Sequence, residues 1–153
     1  MDSRSHGHGG SKERTSVAGL DLAVWAESAT AFVYQQEPGY QERMGALVRE
    51  TGVPLLFGSP ARETVAGRRT LRNRAYLLDA GGKLAGWHDK LQLVPFGEFV
   101  PFQKLLFFAR PLVQAVGAFS PGEEPKVLAV PGARFSTLIC YEVVFPNLVR
   151  QFT

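Results

Sequence analysis

Cysteine is nearly absent from this chain: Cys140 is the single one in 153 residues. One cysteine excludes a disulfide framework, and it excludes any Cys-based zinc or iron–sulfur cluster within one chain. By itself a lone cysteine is either a small buried hydrophobe or a reactive thiol. Long apolar runs are missing as well. The most apolar region, Leu91 to Phe119, is broken by Pro95, Glu98, Pro101, Lys104, Arg110 and Pro111, so no stretch of about 18 apolar residues survives to form a membrane span. The first residues lack an apolar core, and no signal peptide is expected there. Charge of one sign is scarce: 17 Lys and Arg against 14 Asp and Glu give a net +3. The only dense basic patch is Arg68, Arg69, Arg72 and Arg74, with no interleaved aromatic before Tyr76. A nucleic-acid reader would show a stripe or a known module, so no nucleic-acid partner is expected, and the patch reads as the solvated face of a hairpin.

What is present is ordinary globular material, 45% hydrophobic and 20% charged, at a length near that of one domain. Residues 1–17 are glycine, serine and charge, and read as a disordered tail. From residue 18 onward the pattern is that of a folded domain. Leu20 to Ala26 reads as a buried strand. Pro38 to Thr51 reads as a helix, with Tyr40, Met44, Leu47 and Val48 at helical spacing, Pro38 near its start and Gly52 just past its end. Val53 to Gly58 reads as the next strand. Leu71–Leu78 and Lys83–His88 flank Asp79-Ala80-Gly81-Gly82, a hairpin signal. Leu93 to Pro125 is rich in proline and phenylalanine and too long for a plain loop, which marks it for function. Lys126–Val130 and Arg134–Ile139 read as two more strands, and Pro146–Phe152 as the start of a helix. This order is an α/β layered pattern.

Three polar residues stand where these strands run out: Glu27, Lys90 and Cys140. Ligands of open α/β sheets bind beyond the carboxyl ends of the strands. A carboxylate can take the proton of a thiol, a thiolate can attack an acyl carbon, and an ammonium can hold the resulting oxyanion. The set would carry out acyl transfer through a thioester. Each residue also has a plainer reading. Cys140 can be packing, Glu27 a helix N-terminal acid, and Lys90 a surface lysine paired with Asp89.

The segments Val24-Trp25-Ala26-Glu27-Ser28-Ala29, His88-Asp89-Lys90-Leu91-Gln92-Leu93-Val94-Pro95-Phe96-Gly97-Glu98-Phe99-Val100-Pro101 and Leu138-Ile139-Cys140-Tyr141-Glu142-Val143-Val144-Phe145-Pro146 resemble the carbon–nitrogen hydrolase (nitrilase) superfamily. Within it they are most similar to the apolipoprotein N-acyltransferase family. The resemblance implies an α/β fold, the nitrilase-like α-β-β-α sandwich, here expected to be incomplete at both ends. It implies a Glu–Lys–Cys triad with Glu27 as base, Lys90 at the oxyanion and Cys140 as nucleophile. It implies supporting roles for Glu98, for Glu142 and for Tyr141, whose backbone N–H would join the oxyanion site. No cofactor and no metal are implied. The implied partners are a phospholipid, an apolipoprotein and the membrane surface, and the implied place is the periplasmic side of a bacterial inner membrane. The chain departs from the family at Ala26, where a proline is common, and it carries no membrane-spanning helices.

The aromatic stretch that includes Phe102, Leu105, Leu106, Phe107 and Phe108 reads as an arm that contacts lipid, with Lys104 and Arg110 snorkelling toward headgroups. Core packing and an exposed apolar patch are its other readings. Two further readings of the whole chain stay open. One is a soluble amidase acting on a small amide. The other is a non-enzyme, an inactive piece of a parallel sheet with open edges or a binding module.

Overall fold

The computed structural model describes residues 19–27, 32–94 and 119–152. Its centre is a four-stranded sheet in the order β1-β2-β3-β4: β1 (Ala23–Val24), β2 (Leu55–Val65), β3 (Arg68–Leu78) and β4 (Leu84–Asp89). β1 pairs parallel with β2, and the other two pairings are antiparallel. The sheet is therefore mixed rather than parallel. β1, β2 and β4 run in one direction, so the carboxyl ends of β1 and β4, which deliver Glu27 and Lys90, open at the same end of the sheet.

Helix α1 (Pro38–Thr51) covers one face. Pro38 starts it with the preset φ of a first helical residue. Gly52 closes it in the left-handed region at φ 69°, donating its N–H to the Val48 carbonyl at 2.8 Å. Tyr40, Met44 and Val48 recur at every fourth position and pack on Leu55, Phe57, Tyr76 and Leu78 of the sheet. Leu47, expected on the same stripe, is largely exposed. The helix meets the β3–β4 turn at glycine. Gly82 sits at φ 74°, and a Cβ there would run into the Gly45 carbonyl of α1. The turn itself follows the sequence signal, with Asp79 accepting the N–H of Lys83 on its carboxylate at 2.9 Å.

The opposite face of the sheet exposes the alternate residues Leu56, Ala75 and Leu77. These are covered by a two-stranded ribbon, β5 (Val127–Val130) and β6 (Ala133–Ser136), through Leu128, and by Ile139 just beyond it. The layers are helix, sheet, second sheet, as expected of the α/β sandwich. The chain ends its described course in a short helix α2 (Pro146–Val149) and a single 3-10 turn, Arg150–Phe152.

Further expectations need correction. The buried strand expected over Leu20–Ala26 is only Ala23–Val24, and Leu20 and Val24 are exposed. β2 and β3 are longer than their apolar parts, and they join through Ala66 and Gly67, both at positive φ. That is the two-residue hairpin geometry that matches strand twist. The basic patch is solvated only in part: Arg68 and Arg69 are exposed, whereas Arg72 and Arg74 are buried. They lie on one side of β3 two residues apart, where cross-strand carboxylates neutralise them. Arg74 holds Asp89 at 2.5 and 2.8 Å and Glu63 at 2.5 Å. These pairs raise the Arg74 guanidinium above its usual range although burial alone would lower it. Finally, the strand expected over Arg134–Ile139 stops at Ser136.

Candidate active site

Glu27 lies just past β1, which is held to β2 by N–H bonds from Ala23 to Pro54 and from Trp25 to Leu56, both 2.9 Å. Lys90 is the first residue past β4. Its side chain is only 1% exposed, and its Nζ stands 3.8 Å from Glu27 Oε1. The surface-lysine reading therefore fails, and Asp89 is engaged by Arg74 instead. Asn73 of β3 completes the contact by donating Nδ2–H to Glu27 Oε1 at 2.8 Å. The same residue accepts the Lys90 N–H on its main-chain carbonyl at 2.9 Å. Asn73 was not singled out by the sequence, where nothing in its spacing marks it.

Cys140 does not close a strand. It opens a 3-10 turn, Cys140–Val144, and carries φ 55°, a left-handed conformation unusual for a residue with a side chain. The turn aims an exposed thiol at the other two groups. The thiol hydrogen-bonds the Glu27 carboxylate, and this bond, followed by burial and the Glu27 charge, raises its pKa. The Lys90 ammonium and the Tyr141 backbone N–H act in the opposite direction. The arrangement thus favours the protonated thiol beside the Glu27 carboxylate, with the Lys90 cation and an N–H donor acting against it. Glu27 and Cys140 line one cleft of about 240 Å³ whose walls include Val24, Trp25, Leu56, Ala75 and Leu138.

Glu142 is the anchor of this turn. Its carboxylate is fully buried. Oε1 accepts the N–H groups of Leu91 at 2.7 Å and Gln92 at 3.0 Å, and Oε2 accepts that of Ile139 at 2.7 Å. One side chain thereby ties the residues after Lys90 to the residue before Cys140. The buried charge is compensated by three oriented amides. Tyr141 itself is half exposed and stacks edge-on against Phe145.

Glu98, Phe102, Leu105, Leu106, Phe107 and Phe108 lie outside the described residues. Among the described residues no group of three His, Cys, Asp or Glu side chains is placed to hold a metal ion. No helix among them is long and apolar enough to cross a membrane.

A sheet layered between a helix and a second sheet thus carries a carboxylate, an ammonium and a thiol that meet at one end. The chain belongs to the carbon–nitrogen hydrolase family, whose model matches residues 11–153. It is similar to an apolipoprotein N-acyltransferase of Geobacter metallireducens, 42% identical over 142 residues, covering 93% of this chain and 27% of that protein. The corresponding protein of Pseudomonas aeruginosa is 37% identical over 134 residues, covering 84% of this chain and 25% of that one. The chain thus spans about a quarter of the length of these relatives. Among solved structures, an amidase from Nesterenkonia sp. superposes with a TM-score of 0.56 at 25% identity, over 87% of this chain and 47% of that one. A mutant of the amidase from Nesterenkonia sp. AN1, carrying the acetamide moiety of fluoroacetamide at its active-site cysteine, superposes with a TM-score of 0.57 at 23% identity, over 88% of this chain and 48% of that one.

Proposed function

We propose that this chain carries the reacting groups of an apolipoprotein N-acyltransferase, which moves an acyl chain from a phospholipid to the N-terminal cysteine amine of a lipoprotein. The observation that supports it is the meeting of Glu27, Lys90 and Cys140: Lys90 Nζ lies 3.8 Å from Glu27, and Glu27 is hydrogen-bonded to the thiol. Glu27 takes the thiol proton as Sγ attacks the ester carbonyl carbon. The oxyanion that forms is met by the Lys90 ammonium and the Tyr141 N–H. Collapse breaks the ester C–O bond, and the lysophospholipid leaves with the proton returned by Glu27. The lipoprotein amine then attacks the thioester, its proton passes to Glu27, and the thiol is released. Neither half needs a metal or a redox partner.

In this reading Glu98 supports Lys90, and Phe102, Leu105, Leu106, Phe107 and Phe108 contact the bilayer. The site then works at the periplasmic face of the inner membrane. Incubation of the intact enzyme with phospholipid vesicles followed by mass spectrometry tests the proposal. An acyl adduct on Cys140 that is absent in Cys140→Ala is expected. Adduct formation with small amides and none with phospholipid would replace it by the amidase reading, which the likeness to the amidase structures favours.

A further inference from the structure

We propose that Gly122 and Arg72 are positioning residues for Lys90, and that the segment Phe119–Glu123 is the strap through which they act. The inference rests on the role given to Lys90 above and asks what holds that residue in place. β4 pairs with β3 only as far as Arg74 opposite Asp89, so β3 is left with an open edge at Leu71 to Asn73. Two pieces of chain fill it. Lys90 gives its N–H to Asn73, and Ser120 gives its N–H to Leu71 at 2.7 Å beside a parallel bridge of Phe119 with Leu71. The strap then reaches Lys90 itself: Gly122 donates its N–H to the Lys90 carbonyl at 2.8 Å. Both main-chain polar groups of Lys90 are therefore taken, one by β3 and one by the strap.

Gly122 allows this approach because it has no side chain. A Cβ would stand 2.6 Å from the Asp89 carbonyl oxygen and 2.8 Å from Leu91 Cδ2, the residues on either side of Lys90. Any side chain at 122 must push the Asp89–Leu91 segment away, and the Lys90 ammonium with it. Arg72 holds the strap from the other side. Its buried guanidinium donates to the Pro121 carbonyl and reaches Glu123 at 3.1 Å, while Glu63 at 3.3 Å and Asp89 at 3.9 Å neutralise it from the sheet. A planar fork with several donors suits this role in a way a lysine would not.

Cys140 is the only cysteine, so the pH profile of its alkylation by iodoacetamide reads the charges facing it, those of Glu27 and Lys90, without requiring turnover. Lys90→Met should move the alkylation midpoint to higher pH, because a cation that favours the thiolate is lost. Gly122→Ala should move it the same way with Lys90 present and add nothing in the Lys90→Met background. A midpoint unmoved by Gly122→Ala, or moved equally in both backgrounds, overturns the strap proposal and leaves the role of Lys90 intact. A midpoint unmoved by Lys90→Met overturns both. Glu123→Gln, at a side chain 80% exposed, carries the test should Gly122→Ala fail to fold. It loosens the Arg72 anchor without a clash and should give a smaller upward shift, and an unmoved midpoint refutes the proposal.

Discussion

Glu142→Gln replaces one oxygen by an NH₂ group and keeps the shape of the side chain. In the native turn both carboxylate oxygens are used, by Leu91 and Gln92 on one side and Ile139 on the other. A glutamine oriented to serve Leu91 and Gln92 presents its NH₂ to the Ile139 N–H, donor against donor. Leaving that buried amide unpaired costs about 1–3 kcal/mol. The two remaining bonds fall from charge-assisted to neutral, a loss of about 1 kcal/mol each. Relief from burying a charge returns part of this, so a net loss of about 2–4 kcal/mol is expected, a large share of the ~5–15 kcal/mol of a typical domain. With a urea slope of about 2 kcal/mol/M, the unfolding midpoint should fall by about 1–2 M. Tyr141→Phe and Val143→Ala, at exposed neighbouring positions of the same turn, should each change stability by less than about 0.5 kcal/mol. A fall of under about 0.5 M for Glu142→Gln, or one matched by the two neighbours, would refute the anchoring role of the carboxylate.

Glu27→Gln removes the charge and leaves only a weaker, neutral amide acceptor beside the Cys140 thiol, so the alkylation midpoint should move to lower pH while acyl transfer is lost; an unmoved midpoint denies the influence of the carboxylate on the thiol. His88 is fully buried against the edge of Phe152, and burial lowers its pKa below the usual value. The unfolded chain then binds a proton that the folded one resists, so stability falls as pH drops below about 6.5, by up to about 1.4 kcal/mol per pH unit. His88→Phe should flatten that acid limb in thermal melts at pH 5 and pH 7.5, and an unchanged difference between them counts against it. Gly82→Ala meets both a positive φ and the Gly45 carbonyl, whereas Gly132→Ala meets a positive φ in open space; the first should cost several times the ~1 kcal/mol of the second, and equal melting temperatures would refute the close helix–turn contact. Phe107→Ser and Phe108→Ser should weaken lipid turnover more than thermal stability in the intact enzyme, and equal losses would place these residues in the core.

The parts of the fold that the sequence made legible are those whose signal is local. Pro38, Gly52 and the fourth-residue spacing of Tyr40, Met44 and Val48 define α1 without reference to anything distant. Asp79-Ala80-Gly81-Gly82 announces a tight turn in the same way. The β2–β3 hairpin escaped because its turn is Ala66-Gly67, and an alanine at positive φ leaves no compositional trace. Arg72 and Arg74 looked solvated because charge usually faces water. Their burial depends on Glu63 and Asp89, which only strand register brings opposite them. Cys140 looked like a strand end because Leu138 and Ile139 continue an apolar run, but the demand of Glu142 for the Ile139 amide turns the chain there.

The candidate site divides along the same line. Glu27, Lys90 and Cys140 have the reactivity that a reading of side-chain types looks for, and the structure brings all three together. What brings them together is mostly main chain. Lys90 is held through its N–H and C=O by Asn73 and Gly122, the residues after it through Glu142, and the Glu27 carboxylate through the Asn73 amide. None of these holding groups needs to react, and a sequence marks reactive types more readily than holding ones. Preorganisation of this kind matters because a shift of about 1 Å in a reacting group can cost about a hundredfold in rate. It follows that the most damaging substitutions near this site need not be confined to its three converging side chains: Asn73, Gly122 and Glu142, which hold the main chain around them, are where the arrangement is most easily lost while the thiol, the carboxylate and the ammonium all remain.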